Sequence, residues 1–343
     1  MAVGRRRRDS LKALLSKAAG GPETLVLEDV ADPVAGPGEI LVSVKACSVN
    51  FPDVLVIEDK YQFRPVRPFS PGNDVAGIVE ALGEGVTQWK VGDRILGSAG
   101  GAGGMAEKCV MPAERAYALP ADRSFAEGSS LLMTYGTTIH ALLDRGSITA
   151  GETMLVLGAA GGVGMSAVEL GVALGLRVVA AVSSEEKAAA VKAIGASEAV
   201  IYPRGPLDRD QQKALSAAFK DAVGPDGAHI VYDIIGGDYA DPAIRCIAWE
   251  GRYLVIGFTA GIPKLPLNLT LLKSCDVRGV FWGAFTVREP DKNRQNIEQL
   301  FTMWREGKIK PLVSETFPLA RGGEAIAKMA AREAIGKLVV TMD

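Results

Sequence analysis

Met154-Leu155-Val156-Leu157-Gly158-Ala159-Ala160-Gly161-Gly162-Val163-Gly164 is the stretch whose reading decides the fold. Four apolar residues lead into a glycine-dense turn, and an apolar-periodic segment over 163–174 follows. Strand, tight turn and helix in that order are the context a dinucleotide-binding glycine motif requires. Glycines let the turn close and let backbone N–H groups approach a pyrophosphate. The helix N-terminus then offers unpaired donors and a partial positive charge to the anion. The spacing, Gly158-x-x-Gly161-Gly162-x-Gly164, departs from the strict G-x-G-x-x-G. The competing reading is an ordinary strand–helix turn that holds no ligand. The local context favours a nicotinamide-cofactor enzyme.

Outward from this turn the same unit repeats. Strands are expected at 153–157, 177–182, 199–202, 229–234 and 252–256, with helices at 162–174, 185–194, 208–222 and 242–249. The strands are rich in Val, Ile and Leu without alternation, as in a parallel sheet buried on both faces. A helix over 129–143 precedes them. Toward the N-terminus the pattern changes to short apolar strands (40–46, 76–81, 94–96) between turns such as Gly36-Pro37-Gly38 and Gly83-Glu84-Gly85. Residues 97–104 form a glycine-rich loop. The tail contains a helix at 293–306, a strand near Glu315, a helix at 322–331 and a strand at 337–342, and is expected to pack back with the N-terminal part. The fold class is therefore α/β: a strand-rich barrel-like domain (11–132 and 284–343) and a doubly wound parallel-sheet, dinucleotide-binding domain (133–283).

Composition agrees. A chain of 343 residues, 48% hydrophobic and 23% charged, has material for two cored domains. With 38 basic and 40 acidic residues the net charge is −2, which gives no basis for a nucleic acid or anionic membrane partner. No apolar run is long enough to span a bilayer. Cys47, Cys109, Cys246 and Cys275 are scattered, without a C-x-x-C pair; they read as free thiols in a reducing, cytoplasmic compartment. His140 and His229 read as packed or hydrogen-bonded side chains. Arg5-Arg6-Arg7-Arg8 lies in a basic, disordered extension over 1–10 rather than in a targeting peptide.

The second strand indicates which nicotinamide nucleotide is used. An acidic residue at its end grips the ribose 2′-hydroxyl and selects NAD. Here that strand ends Ala181-Val182-Ser183-Ser184. Ser183 leaves room for a 2′-phosphate, Lys187 lies one helical turn on to neutralise it, and Tyr202 with Arg204 flanks the adenosine. Ser184 also reads as a helix N-cap with Glu185 and Glu186 in the first turn. NADPH is the expected cofactor.

Several further segments carry a resemblance: Ser48-Val49-Asn50-Phe51-Pro52-Asp53, Pro71-Gly72-Asn73-Asp74-Val75-Ala76-Gly77, Val91-Gly92-Asp93-Arg94-Ile95 and Gly336-Lys337-Leu338-Val339. With the glycine turn they make the chain resemble, from Leu11 onward, the medium-chain dehydrogenase/reductase superfamily and its zinc-free quinone oxidoreductase branch, which includes zeta-crystallin. The strand-rich domain is then expected to be GroES-like. Zinc members carry Cys-His-Thr-Asp where this chain has Asn50-Phe51-Pro52-Asp53, and Gly-His-Glu where it has Gly72-Asn73-Asp74. Neutral amides are poor substitutes for thiolate and imidazole, and the cysteine-rich lobe for structural zinc is missing, so no metal is expected.

The resemblance also implies cofactor contacts. Asn50 and Thr137 approach the nicotinamide, Gly161, Gly162, Val163 and Gly164 cradle the pyrophosphate, and Ser183, Lys187 and Tyr202 take the adenosine and its phosphate. Gly237, then Ile256, Gly257 and Phe258, then Phe281, Trp282 and Gly283 line the nicotinamide half; for Phe281 and Trp282 a role as core aromatics is the alternative. The implied reaction is hydride delivery from NADPH to a quinone or conjugated enone, with Asn50 and Tyr61 as the candidate catalytic donors. An enoyl- or acryloyl-CoA double-bond reductase is the nearest alternative, and a non-enzymatic RNA-binding or structural protein the more distant one. A homodimer or homotetramer is implied, pairing through an apolar edge near 277–281.

Overall fold

The computed structural model describes residues 10–342. They form two compact units: one from the residues up to Leu132 together with those from Pro311 on, the other from Met133–Lys310. The Arg5–Arg8 extension lies outside the described residues. Residue 10, expected to belong to it, opens the strand Ser10–Leu15.

The second unit is built on a six-stranded sheet in the order Glu198–Ile201, Arg177–Val182, Thr153–Leu157, Ala228–Asp233, Ile247–Val255, Asp276–Gly279. Every neighbouring pair is parallel. Leu155, Leu157, Val179, Val231 and Tyr253 are fully buried, so these strands show no polar face in sequence. The helices Gly162–Ala173, Glu185–Ala193, Arg209–Val223 and Ala240–Arg245 pack on the sheet. Their starts follow capping chemistry. Ser184 accepts from Lys187 N–H, and Asp208 and Gln211 exchange side-chain-to-backbone bonds of 2.8 and 3.0 Å.

The helix Gly162–Ala173 sits so close to the strand before it that Gly164 has no room for a side chain. A Cβ there would lie 2.2 Å from the Gly158 carbonyl oxygen and 2.6 Å from the Ala159 backbone. At Gly161 the only neighbour of such a Cβ is the same oxygen, at 3.8 Å. One glycine thus serves packing, and the other borders open space.

The first unit carries a seven-stranded sheet. Its main path runs Val313–Pro318, Lys337–Thr341, Glu39–Ser48, Asp74–Leu82, Arg94–Ser98, Ala116–Ala118, and Lys108–Pro112 pairs with Glu39–Ser48. Glu39–Ser48 shifts register twice against Asp74–Leu82, and such bulges curl a sheet toward a barrel. Its core includes Ile40, Val42, Val75, Ile95, Met111, Leu338 and Val340.

Three expectations are corrected. The helix expected at 242–249 ends at Arg245; Ile247–Val255 is one strand, with Ile247 paired to Ala228 and a bulge after it. An apolar Ile-Ala-Trp run suits either element, and the vacant ladder position beside Ala228 decides. The helix expected at 129–143 is a short helix, Phe125–Ser129, followed by π-helical turns Leu132–Gly136 and His140–Arg145 around Thr137–Ile139. The tail helix, Pro290–Arg305, belongs to the second unit, while the strand and helix that follow Pro311 belong to the first. Asp144 bonds to that helix, accepting from Asn296 at 2.8 Å and pairing with Lys292 at 3.1 Å.

Gly164→Ala is expected to destabilise the protein by about 1–3 kcal/mol through overpacking, and Gly161→Ala by less than about 0.5 kcal/mol. Urea unfolding of both variants checks this ordering.

Candidate functional site

In the second unit the order of the sheet reverses between Thr153–Leu157 and Ala228–Asp233. Ligands of open parallel sheets bind beyond the C-terminal strand ends at such a reversal. The glycine turn lies there. Gly161 stands at the N-cap with extended φ −76° and ψ 170° and no side chain. The first N–H groups of a helix have no partner inside it, so Gly162, Val163 and Gly164 present donors at the dipole's positive end.

Asp233 organises the neighbouring loops. Its buried carboxylate accepts from the Ile235 and Gly236 N–H groups at 2.8 and 2.9 Å and from the Tyr253 hydroxyl at 2.6 Å. Burial pushes this carboxyl up from its ordinary value, and those three donors oppose the rise. Its backbone carbonyl accepts from Ile256 and Gly257. Gly237, at φ +53°, donates to the Gly261 carbonyl at 2.7 Å, and a Cβ on it would lie 2.7 Å from the Ala260 carbonyl oxygen. Gly237 and 256–258 thereby lie at the same end of the sheet; Phe258 is exposed.

The end of the second strand is also assembled. Tyr202 N–H donates to the Val182 carbonyl at 2.9 Å, which sets it beside Ser183, and its ring lies 4.9 Å from that of Tyr239. Ser183, Lys187 and Tyr202 are all half-buried, whereas Glu185 and Glu186 are exposed in the first helical turn. Half-buried Thr137 adjoins Thr138, whose hydroxyl lies 2.7 Å from that of Ser166 and 2.9 Å from that of Tyr232. This buried network ties the Thr137 segment to the glycine helix. Trp282 is not a core aromatic: half-buried, it covers Gly136 and donates from its indole to Asn293 at 3.0 Å. Phe281 and Gly283 are exposed.

The first unit holds a buried polar cluster. Lys337, opening the strand Lys337–Thr341, donates from Nζ to Asn50 Oδ1 at 2.6 Å and to the Val49 carbonyl at 3.0 Å. Asn50 Nδ2 in turn donates to Asp74 Oδ2 at 3.3 Å and to Ser48 at 3.4 Å. Asp53 accepts from the backbone N–H groups of Asn50 (2.7 Å) and Gly72 (3.1 Å). Asn73 donates to Asp74 and accepts from Ser98 and Gly101. Lys337, Asn50, Asp53 and Asp74 are each at most 5% exposed.

Burial governs the ionisation here. It pushes the Lys337 ammonium down to about 8 against the raising influence of Asp74, Asp53 and Cys47. It pushes Asp53 up to about 6 against the Asn50 N–H, the Lys337 charge and the Gly72 N–H. The Cys47 thiol is raised by burial and by both aspartates. Half-buried Tyr61, packed against the core of this unit, is raised by burial and by the Asp53 charge. Among the described residues no three His, Cys, Asp or Glu side chains come together as a metal site.

Sequence reasoning singled out Asn50 and Tyr61 but missed Lys337 and Asp233 as organising groups. The available signals were a lysine opening the apolar run Leu338-Val339-Val340 and an aspartate closing the run Ile230-Val231-Tyr232.

Comparison with known proteins agrees with this architecture. The Alcohol dehydrogenase GroES-like domain model matches residues 36–121, and the Zinc-binding dehydrogenase model matches 162–301. Quinone oxidoreductase-like protein 2 homolog of Nematostella vectensis is 34% identical over 97% of this chain and 89% of its own. Human quinone oxidoreductase is 30% identical over 89% and 90%. Mycobacterial Rv1454c, solved in complex with NADPH, superposes with a TM-score of 0.88 at 28% identity, covering 97% of this chain and all of the other. The Pseudomonas syringae pv. tomato DC3000 quinone oxidoreductase gives 0.85 at 29% identity over 96% and 99%.

The raised Asp53 value carries a pH signature. Below about pH 4 both folded and unfolded chains hold the proton. Between there and about 6 the unfolded chain ionises first, so this group's contribution to stability is lost as pH rises. Urea unfolding across this window is expected to show wild type losing on the order of 2–3 kcal/mol relative to Asp53→Asn, whose side chain cannot ionise. The asparagine variant starts less stable, because its amide nitrogen cannot accept one of the two backbone donors.

Proposed function

The chain belongs to the quinone oxidoreductase family of the medium-chain dehydrogenases/reductases, and from that premise we propose that it reduces a quinone or similar conjugated acceptor with NADPH, without zinc. The observation that carries the proposal is the glycine cradle, with Gly164 packed to contact and Gly161 facing open space at the sheet's reversal. NADPH, when bound, supplies a hydride.

The chain's own groups then do the holding. Gly161, Gly162, Val163 and Gly164 bind the pyrophosphate with backbone donors. Ser183, Lys187 and Tyr202 take the phosphorylated adenosine, and the only acidic groups nearby in sequence, Glu185 and Glu186, are solvated. Thr137, Gly237 and the segment 256–258 with Phe281, Trp282 and Gly283 orient the nicotinamide half. Asn50 and Tyr61 meet the acceptor. Tyr61, raised above its ordinary value, stays protonated at neutral pH and holds its proton as a donor to a developing oxyanion.

The residues do not fit zinc. Amides stand at 50 and 73, the family's ligand positions. A divalent ion at Asn50 would face an ammonium bonded 2.6 Å from the same oxygen. The cationic charge in that pocket belongs to Lys337.

Assembly is proposed as a homodimer through the edge strand Asp276–Gly279. Its Val277 is exposed, as are Leu267, Leu271 and Leu272 beside and within the helix Asn268–Lys273, an apolar patch on an unpaired edge. Four buried free thiols support a reducing, cytoplasmic setting. No helix among the described residues is long and apolar enough to cross a membrane.

Consumption assays of NADPH and NADH against quinones, enones and enoyl-CoA esters test the reading. Quinones with NADPH are expected to turn over best, and Lys187→Ala to lose roughly tenfold of the preference for NADPH over NADH. Calorimetry detecting no NADPH uptake, or activity that requires zinc, overturns it; enoyl-CoA turnover alone reassigns the acceptor. Light scattering at micromolar concentration is expected to show a dimer, and Leu271→Lys to shift it toward monomer.

A further inference from the structure

We propose that Lys337 is a positioning residue of the reductase: its ammonium sets the orientation of the Asn50 amide and so acts on the reaction through Asn50. This rests on the acceptor-facing role assigned to Asn50 above.

The argument begins with hydrogen-bond direction. An ammonium has donors only, so the amide atom facing it must be the oxygen. Lys337 Nζ lies 2.6 Å from Asn50 Oδ1, and a second donation, to the Val49 carbonyl at 3.0 Å, anchors the ammonium to the backbone just before Asn50. The amide nitrogen is thereby turned to Asp74 and Ser48. A flipped amide would put donor against donor at Lys337 and oxygen against carboxylate at Asp74.

A buried charge is an expensive means of filling a core position, and a lysine opening an otherwise apolar strand could be replaced by an apolar side chain at lower desolvation cost. The charge is retained by its surroundings. Asp53 on the helix Phe51–Ile57, Asp74 on Asp74–Leu82 and Cys47 on Glu39–Ser48 all face it, and Tyr61 senses the same Asp53. Loss of the proton converts Nζ into a group with a lone pair, which accepts as well as donates. Lys337 then no longer enforces the amide's orientation, and only Asp74 and Ser48 oppose a flip. Amide orientation is therefore coupled to the protonation of Lys337, whose value burial has brought down to about 8.

The test uses the full chain with NADPH and a soluble benzoquinone, reading kcat and KM separately. Lys337→Met is expected to lower kcat by at least about tenfold with KM for NADPH changed less than about threefold. In an Asn50→Ala background the same substitution should cost less than about threefold, because the group it acts through is already gone. Equal losses in both backgrounds, or none in either, overturn the proposal.

Should Lys337→Met fail to fold, wild type and Lys337→Arg decide the matter. Wild-type kcat is expected to fall as pH rises through about 8. The arginine variant, whose guanidinium keeps its charge, should lose that alkaline limb up to about pH 10. An unchanged limb overturns the proposal. A wild-type chain that turns over no quinone overturns the reductase reading along with it, whereas an active wild type with an insensitive Lys337 overturns the positioning role alone.

Discussion

A hydrogen atom is all that the space beside Gly164 admits, and that close contact between helix and strand turn sets where the helix Gly162–Ala173 starts. Because the helix starts there, its unpaired N–H groups and positive dipole end lie at the reversal of the strand order, where no neighbouring strand covers them. The turn around Asp233 completes the same end of the sheet. Its carboxylate gathers two backbone donors and a tyrosine hydroxyl, and its carbonyl holds the segment after the fifth strand. Steric exclusion on one side and the hydrogen bonds of the buried Asp233 carboxylate on the other thus shape this end of the sheet.

The first unit reaches order by different means. Two carboxylates and one ammonium are withdrawn from water around a single amide, and each is matched by backbone or side-chain partners. Such a cluster costs several kcal/mol per charge to desolvate, and its Coulombic attraction returns that only with good geometry. Its value lies in specificity: a donor-only group, an amide and an acceptor-only group can be arranged in one way. Directional hydrogen bonds around Asn50 define that arrangement.

Much of this was legible before any coordinates. The glycine turn, the unalternating apolar strands and the serine pair ending the second strand are local signals, each readable from a few consecutive residues. What escaped was non-local. Whether Ile247-Ala248-Trp249 extends a helix or opens a strand depends on the ladder position left beside Ala228, far away in sequence. The tail helix lies in the second unit, where Ile297, Leu300 and Trp304 are buried and Asp144, 152 residues from Asn296, accepts from it. Lys337 stood within a recognised segment, yet its meeting with Asn50 spans 287 positions, and no spacing rule reaches that far.

That span has a consequence for biosynthesis. The strand bearing Lys337 emerges from the ribosome only after the whole of Met133–Lys310, so the first unit's sheet waits, with an edge unpaired and Asp53 and Asp74 lacking their counterion, while the second unit is made. The second unit is continuous in sequence and is complete at Lys310. Vectorial synthesis therefore favours maturation from the middle outward, with the first unit completed last and its nascent edge exposed to chaperones in the meantime.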